Sequence, residues 1–256
     1  MLGLRNLYRV FHESRAAARK HSALAVMGDS PEAEKLASLL GAQRDAKGAE
    51  VVATVTGTRN VGVEISLSGE AVEDAGESVF LPDVSEEAVL RELAPRVVSS
   101  LHEDYLISLG RGYPVFRRAV FKEIIHKNAR QNAVIGLLPI PGADMPAIMA
   151  NQGRMVLGIA AAHGEEISLD RARELLGVLA AGFGFRALSR QILKLVPVAG
   201  WAASGAIGYA ATLAMGQTAI RYFERGKKKP ESEELFEIRR WARKEAEAFL
   251  ARMRRR

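Results

Sequence analysis

The chain contains no cysteine. That absence excludes disulfide frameworks, thiolate nucleophiles and zinc–thiolate sites together. Aromatic residues are scarce, at 6% of the chain, and few of them interleave the basic stretches near the C-terminus. Base stacking on aromatic faces has little to work with there, so a nucleic-acid partner is not expected. Also missing is the unbroken apolar run of a secretory signal, because Arg5 and Arg9 interrupt MLGLRNLYRVFHESRAAARKHS. A cytoplasmic location is expected, with the inner-membrane surface open to the protein. No GxxxxGK[ST] phosphate loop occurs, and without its bare amides and lysine a nucleoside triphosphate has no cradle.

Other features are well supplied. Hydrophobic residues make up 48% of the 256-residue chain and charged residues 26%, a globular balance that permits one large domain or two ordinary ones. The net charge of +6 is unevenly placed: residues 1–126 carry 15 basic and 18 acidic side chains, residues 127–256 carry 21 and 12. The excess gathers late, in Lys227, Lys228 and Lys229, in RRWARK (239–244), and in Arg252, Arg254, Arg255 and Arg256. Such a surface suits anionic lipid or nucleic acid, since both reward charge neutralisation by releasing counterions. A merely solvated tail is the plain alternative.

Periodicity divides the chain into four parts. Residues 1–21 have Leu4, Leu7, Tyr8 and Phe11 on one helical stripe and arginines largely off it, the pattern of an interfacial helix or of one docked on its own domain. Residues 22–108 read as a small α/β domain. Its strand ALAVMG (23–28) is followed by Asp29-Ser30-Pro31, which caps a helix running to Gly41; VVATV, VGVEISL and SVFL supply further strands, and a helix from Ser85 to about Leu101 carries Pro95 as a kink. Residues 109–226 are helical almost throughout, with helices ending near Pro139, starting at PIPGADMP (139–146), capped at Ser168-Leu169-Asp170, and starting at Pro197. Residues 227–256 form a charged helix with Leu235, Ile238, Trp241, Ala242, Phe249 and Met253 on one side. The fold class is therefore α+β: a small α/β domain, degenerate and nucleotide-fold-like, ahead of an all-α, glycine-rich bundle. Pro139, Gly142 and Gly158 are echoed by Pro197, Gly200 and Gly216, which suggests paired helices about a pseudo-twofold axis.

No catalytic, cofactor or metal constellation is expected. The turn at Gly28 offers Lys35 but no second glycine, and Asp29 and Glu32 put negative charge where a phosphate would sit. GFGFR (182–186) has no strand before it, so helix packing explains it better than dinucleotide binding. His102-Glu103-Asp104 brings ligand-type atoms together in sequence, but consecutive helical residues point apart. More informative are polar residues inside apolar stretches: Asp144, Arg154 and Arg186. A buried unpaired charge costs several kcal/mol, so Asp144 is expected to cap the helix beginning at Pro146 or to pair with Arg154 or Arg186.

The longest uncharged stretch, LVPVAGWAASGAIGYAATLAMGQTAI (195–220), places Gly200, Ser204, Gly208, Thr212 and Gly216 four apart. Its length allows a span of a bilayer, but its Ala/Gly/Ser/Thr content gives little drive to insert. Glycine inside a helix costs about 1 kcal/mol relative to alanine. The ladder is therefore a device for close approach of another helix, in lipid or in water. Helix 144–163 is its expected partner.

LPIPGADMPAIMANQGRMVLGIAAAHG, RARELLGVLAAGFGFRALSRQILKLVPVAGWAASGAIGYAA and the trailing RYFE resemble the YcjF-like domain of unknown function, family 697, over about residues 115–225. The resemblance implies an α-helical, membrane-apposed module that accompanies a GTPase; it brings no catalytic residues. The leading expectation is a non-enzymatic, membrane-associated scaffold or regulator. The alternative is a soluble helical module that binds a GTPase or self-associates through the glycine ladder.

Overall fold

The computed structural model describes His12, Ala16 and residues 22–58, 62–76, 78–137, 144–166 and 201–254. The chain divides into two compact units: Ala16–Glu123 with Ala161–Gly164, and Met1–Arg15 with Ile124–Ala160 and Glu165–Arg256. The fold is α+β: among the described residues, four strands occupy the N-terminal half, with one helix between the first two and the other helices after them.

In the first unit, β1 (Leu24–Met27), β2 (Val51–Thr58), β3 (Val63–Ser68) and β4 (Val79–Leu81) form one sheet in sequence order. β1 and β2 are parallel because helix α1 (Pro31–Leu40) carries the chain back between them; the other two pairings are antiparallel. Burial alternates along β3, with Val63, Ile65 and Leu67 buried, as a sheet with one covered face requires. Ser30 caps α1 by accepting from the Ala33 amide at 3.2 Å, and Pro31 fits the first turn. The helix stops at Gly41, whose φ of +66° lets Gly41 and Ala42 donate back to Ser38 and Ala37. The chain then runs along β1, where Gln43 exchanges main-chain hydrogen bonds with Leu24 and Val26. One edge of the sheet is thereby closed.

Helix α2 has three parts, Glu86–Ala88, a π turn at Val89–Leu93, and Ala94–Ser100. The expected kink at Pro95 takes the form of that π turn, immediately before it. Proline donates no hydrogen bond and its ring presses on the carbonyl four residues back, and a wider turn accommodates both effects. Helix α3 (Glu103–Gly112) follows, capped by His102, and a 3₁₀ turn (Pro114–Phe116) leads into α4 (Arg117–Leu137). Around the sheet, Leu36, Leu93, Leu109 and Phe116 are fully buried.

The second unit is helical. The larger part of α4 belongs to it, together with α5 (Asp144–His163), α6 (Trp201–Glu224) and α7 (Ser232–Arg254). Of the expected helix at 2–20 the described residues are His12 and Ala16, both helical; the one capped at Ser168-Leu169-Asp170 and the paired Pro–Gly starts at 139–142 and 197–200 lie outside the described residues. Of the internal echo, Gly158 and Gly216 are placed, both buried within α5 and α6. Among the described residues, no helix is long and apolar enough to cross a membrane.

Candidate functional site

The turn after β1, where a nucleotide fold would hold phosphate, is directed the other way. Arg44 reaches over it, donating to the Val26 carbonyl at 2.8 Å and to the Gly28 carbonyl. The turn thus presents oxygens to a guanidinium rather than amides to an anion. Gly28 itself, at φ +132°, is packed against Ala33 and Val55. His102 serves as a helix cap, its Nδ1 accepting from the Asp104 amide at 3.2 Å, with Nε2 3.6 Å from Glu73.

The polar chemistry of the helical unit is buried instead. Asn128 and Asn132 stand one turn apart on α4, Asn151 and Gln152 are adjacent on α5, and Thr212 lies on α6; all five are buried. The Asn151 amide donates to the Asn132 Oδ1 at 2.9 Å and to the Asn128 carbonyl at 3.2 Å. Asn132 Nδ2 donates to Thr212 Oγ1 at 2.8 Å, and Gln152 Nε2 reaches the same oxygen at 3.3 Å. The Thr212 hydroxyl in turn donates to the Gly208 carbonyl at 2.8 Å. One hydroxyl therefore ties three helices together. Every member is neutral, so the network avoids the desolvation cost of a buried charge.

The glycines make this possible. A Cβ on Gly136 would lie 2.9 Å from the Ser204 carbonyl oxygen, one on Gly205 3.0 Å from that of Ala133, and one on Gly208 2.8 Å from that of Asn132. On Gly216 it would meet the Ile125 side chain at 2.5 Å. As the α6 positions rise from 204 to 216 their α4 partners fall from 136 to 125, so the two helices run antiparallel with their backbones in contact. Only side-chain-free positions permit that approach, and it brings the short Thr212 within reach of Asn132.

Of the expected ladder, Gly208 and Gly216 lie against α4, as does Gly205 beside the series, while helix 144–163 joins through Asn151 and Gln152. Ser204 keeps its side chain exposed while its carbonyl lies over Gly136. Arg154 is half-buried on α5, and Asp144 is the first residue of that helix, two positions before the expected start. Gly200, Arg186, Arg255, Arg256 and the side chains of Asp144 and Arg254 lie outside the described residues, and so does the expected Asp144 ion pair or cap. The amides at 128, 132, 151 and 152 escaped sequence reasoning. Their one signal was the four-residue spacing of Asn128 and Asn132, which matches the ladder.

Helix α7 folds back on α6. Ile238, Ala242 and Ala246 are buried, and Phe249 stacks on Tyr209 with ring centroids 4.5 Å apart. The reversal uses Gly226 and Lys227, both at positive φ, which donate to the Phe223 and Tyr222 carbonyls. Lys227 then pairs with Glu165 at 2.7 Å, and Arg225 with Glu231 and Glu234 at 2.7 and 2.6 Å. Lys228, Lys229, Arg240, Lys244 and Arg252 are exposed.

Burial, and after it the Glu245 carboxylate, raises the Tyr209 phenol above its ordinary value, with Arg252 and Arg130 opposing. A raised value in the fold means that the stabilisation from neutral Tyr209 is complete below the unfolded pKa of about 10 and is lost as pH rises through the folded value. Denaturant midpoints between about pH 8 and pH 11 should therefore fall more steeply for the native sequence than for Tyr209→Phe. Parallel curves would mean that Tyr209 does not couple to folding.

Comparison with curated proteins and with solved structures finds no match. A family model described as a domain of unknown function (DUF697) matches residues 114–246, more than half of the chain and all four described helices of the second unit in whole or part, and the chain belongs to that family.

Proposed function

We propose that this protein is a non-enzymatic scaffold or regulator held at the cytoplasmic face of the inner membrane by its cationic C-terminal region. The observation that carries the reading is the set of exposed cations in the turn before α7 and on that helix. That helix directs its small and apolar side toward α6; Lys228 and Lys229 before it and Arg240, Lys244 and Arg252 on it are exposed, interspersed with exposed Glu233, Glu237 and Glu247. Residues 221–256 hold 13 basic and 7 acidic side chains, a net +6 equal to that of the whole chain, so residues 1–220 are neutral in sum. Each cation near an anionic leaflet contributes about 1 kcal/mol, within a Debye length of the surface. The core of α4, α5 and α6 supplies rigidity, because its buried amides and hydroxyl bond one another.

Vesicle co-sedimentation tests this reading. The full chain should bind vesicles containing about 30% phosphatidylserine, with little binding to pure phosphatidylcholine and release at about 0.5 M salt. Replacing Lys228, Lys229, Arg240 and Lys244 by glutamate should weaken binding by tenfold or more, at about 1 kcal/mol per charge removed. Equal binding to neutral vesicles, or no effect of the four changes, would refute the electrostatic anchor. Absence of all vesicle binding would leave the soluble module that binds a GTPase. Self-association through the ladder has less support, since the face from Gly208 to Gly216 is already covered by α4.

A further inference from the structure

We infer that the β4 edge of the sheet, with the π turn packed against it, is a docking site for an extended cationic segment of a partner protein. The two edges of the sheet differ. β1 is closed by Gln43, whereas β4 ends the strand order and no described strand pairs with its outer side. Natural edges are commonly blunted by a lysine, a proline or a bulge. β4 is short and Pro82 follows it, but it contains no lysine and no bulge: its register with β3 is regular, Val63 opposite Leu81, Glu64 opposite Phe80 and Ile65 opposite Val79. Its central residue is Phe80, which is 48% exposed.

The backbone orientation suits strand addition. A Cβ on Gly62, at φ +103°, would collide with the Leu81 carbonyl oxygen, so that oxygen faces β3. Neighbouring residues of a strand alternate in direction, and the amide and carbonyl of Phe80 therefore face outward. An incoming strand would gain that pair of hydrogen bonds and no more, because β4 is three residues long. The remaining recognition comes from side chains. The π turn that packs on β4 carries Leu90, 41% exposed, so two large apolar residues stand outside on adjoining elements.

Charge selects the occupant. Asp83, Glu86, Glu87 and Glu92 are all exposed within residues 82–93, against the single cation Arg91. That arginine is already engaged, 4.0 Å from Glu87 and 2.9 Å from Glu92. The stretch carries a net −3 beside an apolar edge, which fits a strand with basic and apolar residues in alternation. The site belongs to the first unit and does not rest on the membrane reading.

The test uses the full chain and a fluorescein-labelled decapeptide of alternating lysine and valine, read by anisotropy and by the Phe80 amide resonance. Binding is expected, with a shift at Phe80. It should weaken by about tenfold or more with Glu86→Lys/Glu87→Lys, with Phe80→Asp, and with a peptide N-methylated at every second residue. The charge variant alters exposed positions only and keeps the test valid should Phe80→Asp unfold the sheet. No binding, or binding indifferent to the acidic pair or to N-methylation, would overturn the inference.

Discussion

Gly208→Leu is expected to destabilise the helical unit by about 3–5 kcal/mol, at the upper end of overpacking changes. The reason is the identity of the neighbour. The first added carbon would lie 2.8 Å from the Asn132 carbonyl oxygen, a main-chain atom within α4 that cannot rotate aside. Relief requires α4 and α6 to separate, which also stretches the Asn132–Thr212 hydrogen bond of 2.8 Å. Even Gly208→Ala should lose stability, although alanine gains about 1 kcal/mol of helix propensity. Gly112→Ala provides the opposite sign: nothing lies within 4 Å of its added carbon, and the change should be neutral or stabilising by up to about 1 kcal/mol. Urea denaturation of the three variants measures this. A neutral Gly208→Leu would show that the two backbones are not in contact.

Thr212→Val should cost about 2–4 kcal/mol despite its nearly identical shape. The hydroxyl accepts from both Asn132 and Gln152 and donates to Gly208. Valine leaves two buried amide donors without an acceptor, and unmade buried hydrogen bonds are more expensive than made ones are favourable. Thr212→Ser keeps the oxygen and should retain most of the stability. Combining Thr212→Val with Asn132→Leu should cost less than the sum of the two, by about 0.5–3 kcal/mol, since each change removes the other's stranded partner. Strict additivity in denaturant midpoints would dissolve the network into independent contacts.

Local rules made much of the fold legible. Ser30-Pro31 and Gly41 bracket α1 because capping and left-handed geometry involve only neighbouring residues. The alternation of VEISLS placed Val63, Ile65 and Leu67 inward for the same kind of reason. Proline at 95 announced a disturbance in α2, and the structure gave it the form of a π turn. The edge character of β4 could not be read from SVFL, because an edge is defined by what fails to pair beside it.

For the candidate site, the sequence by itself determined that α6 would carry a stripe of small residues, since helical periodicity converts four-residue spacing into a face without reference to any other part of the chain. It also determined that the cations would gather after Ile220. Tertiary structure alone decided that the stripe meets α4, that Thr212 becomes the shared acceptor of Asn132 and Gln152, and that Lys227 pairs with Glu165 while Lys228 and Lys229 remain exposed. Asn132 and Thr212 are 80 residues apart. An amide has no preferred partner until packing excludes water and leaves one acceptor within reach, so such a network exists only in the folded chain.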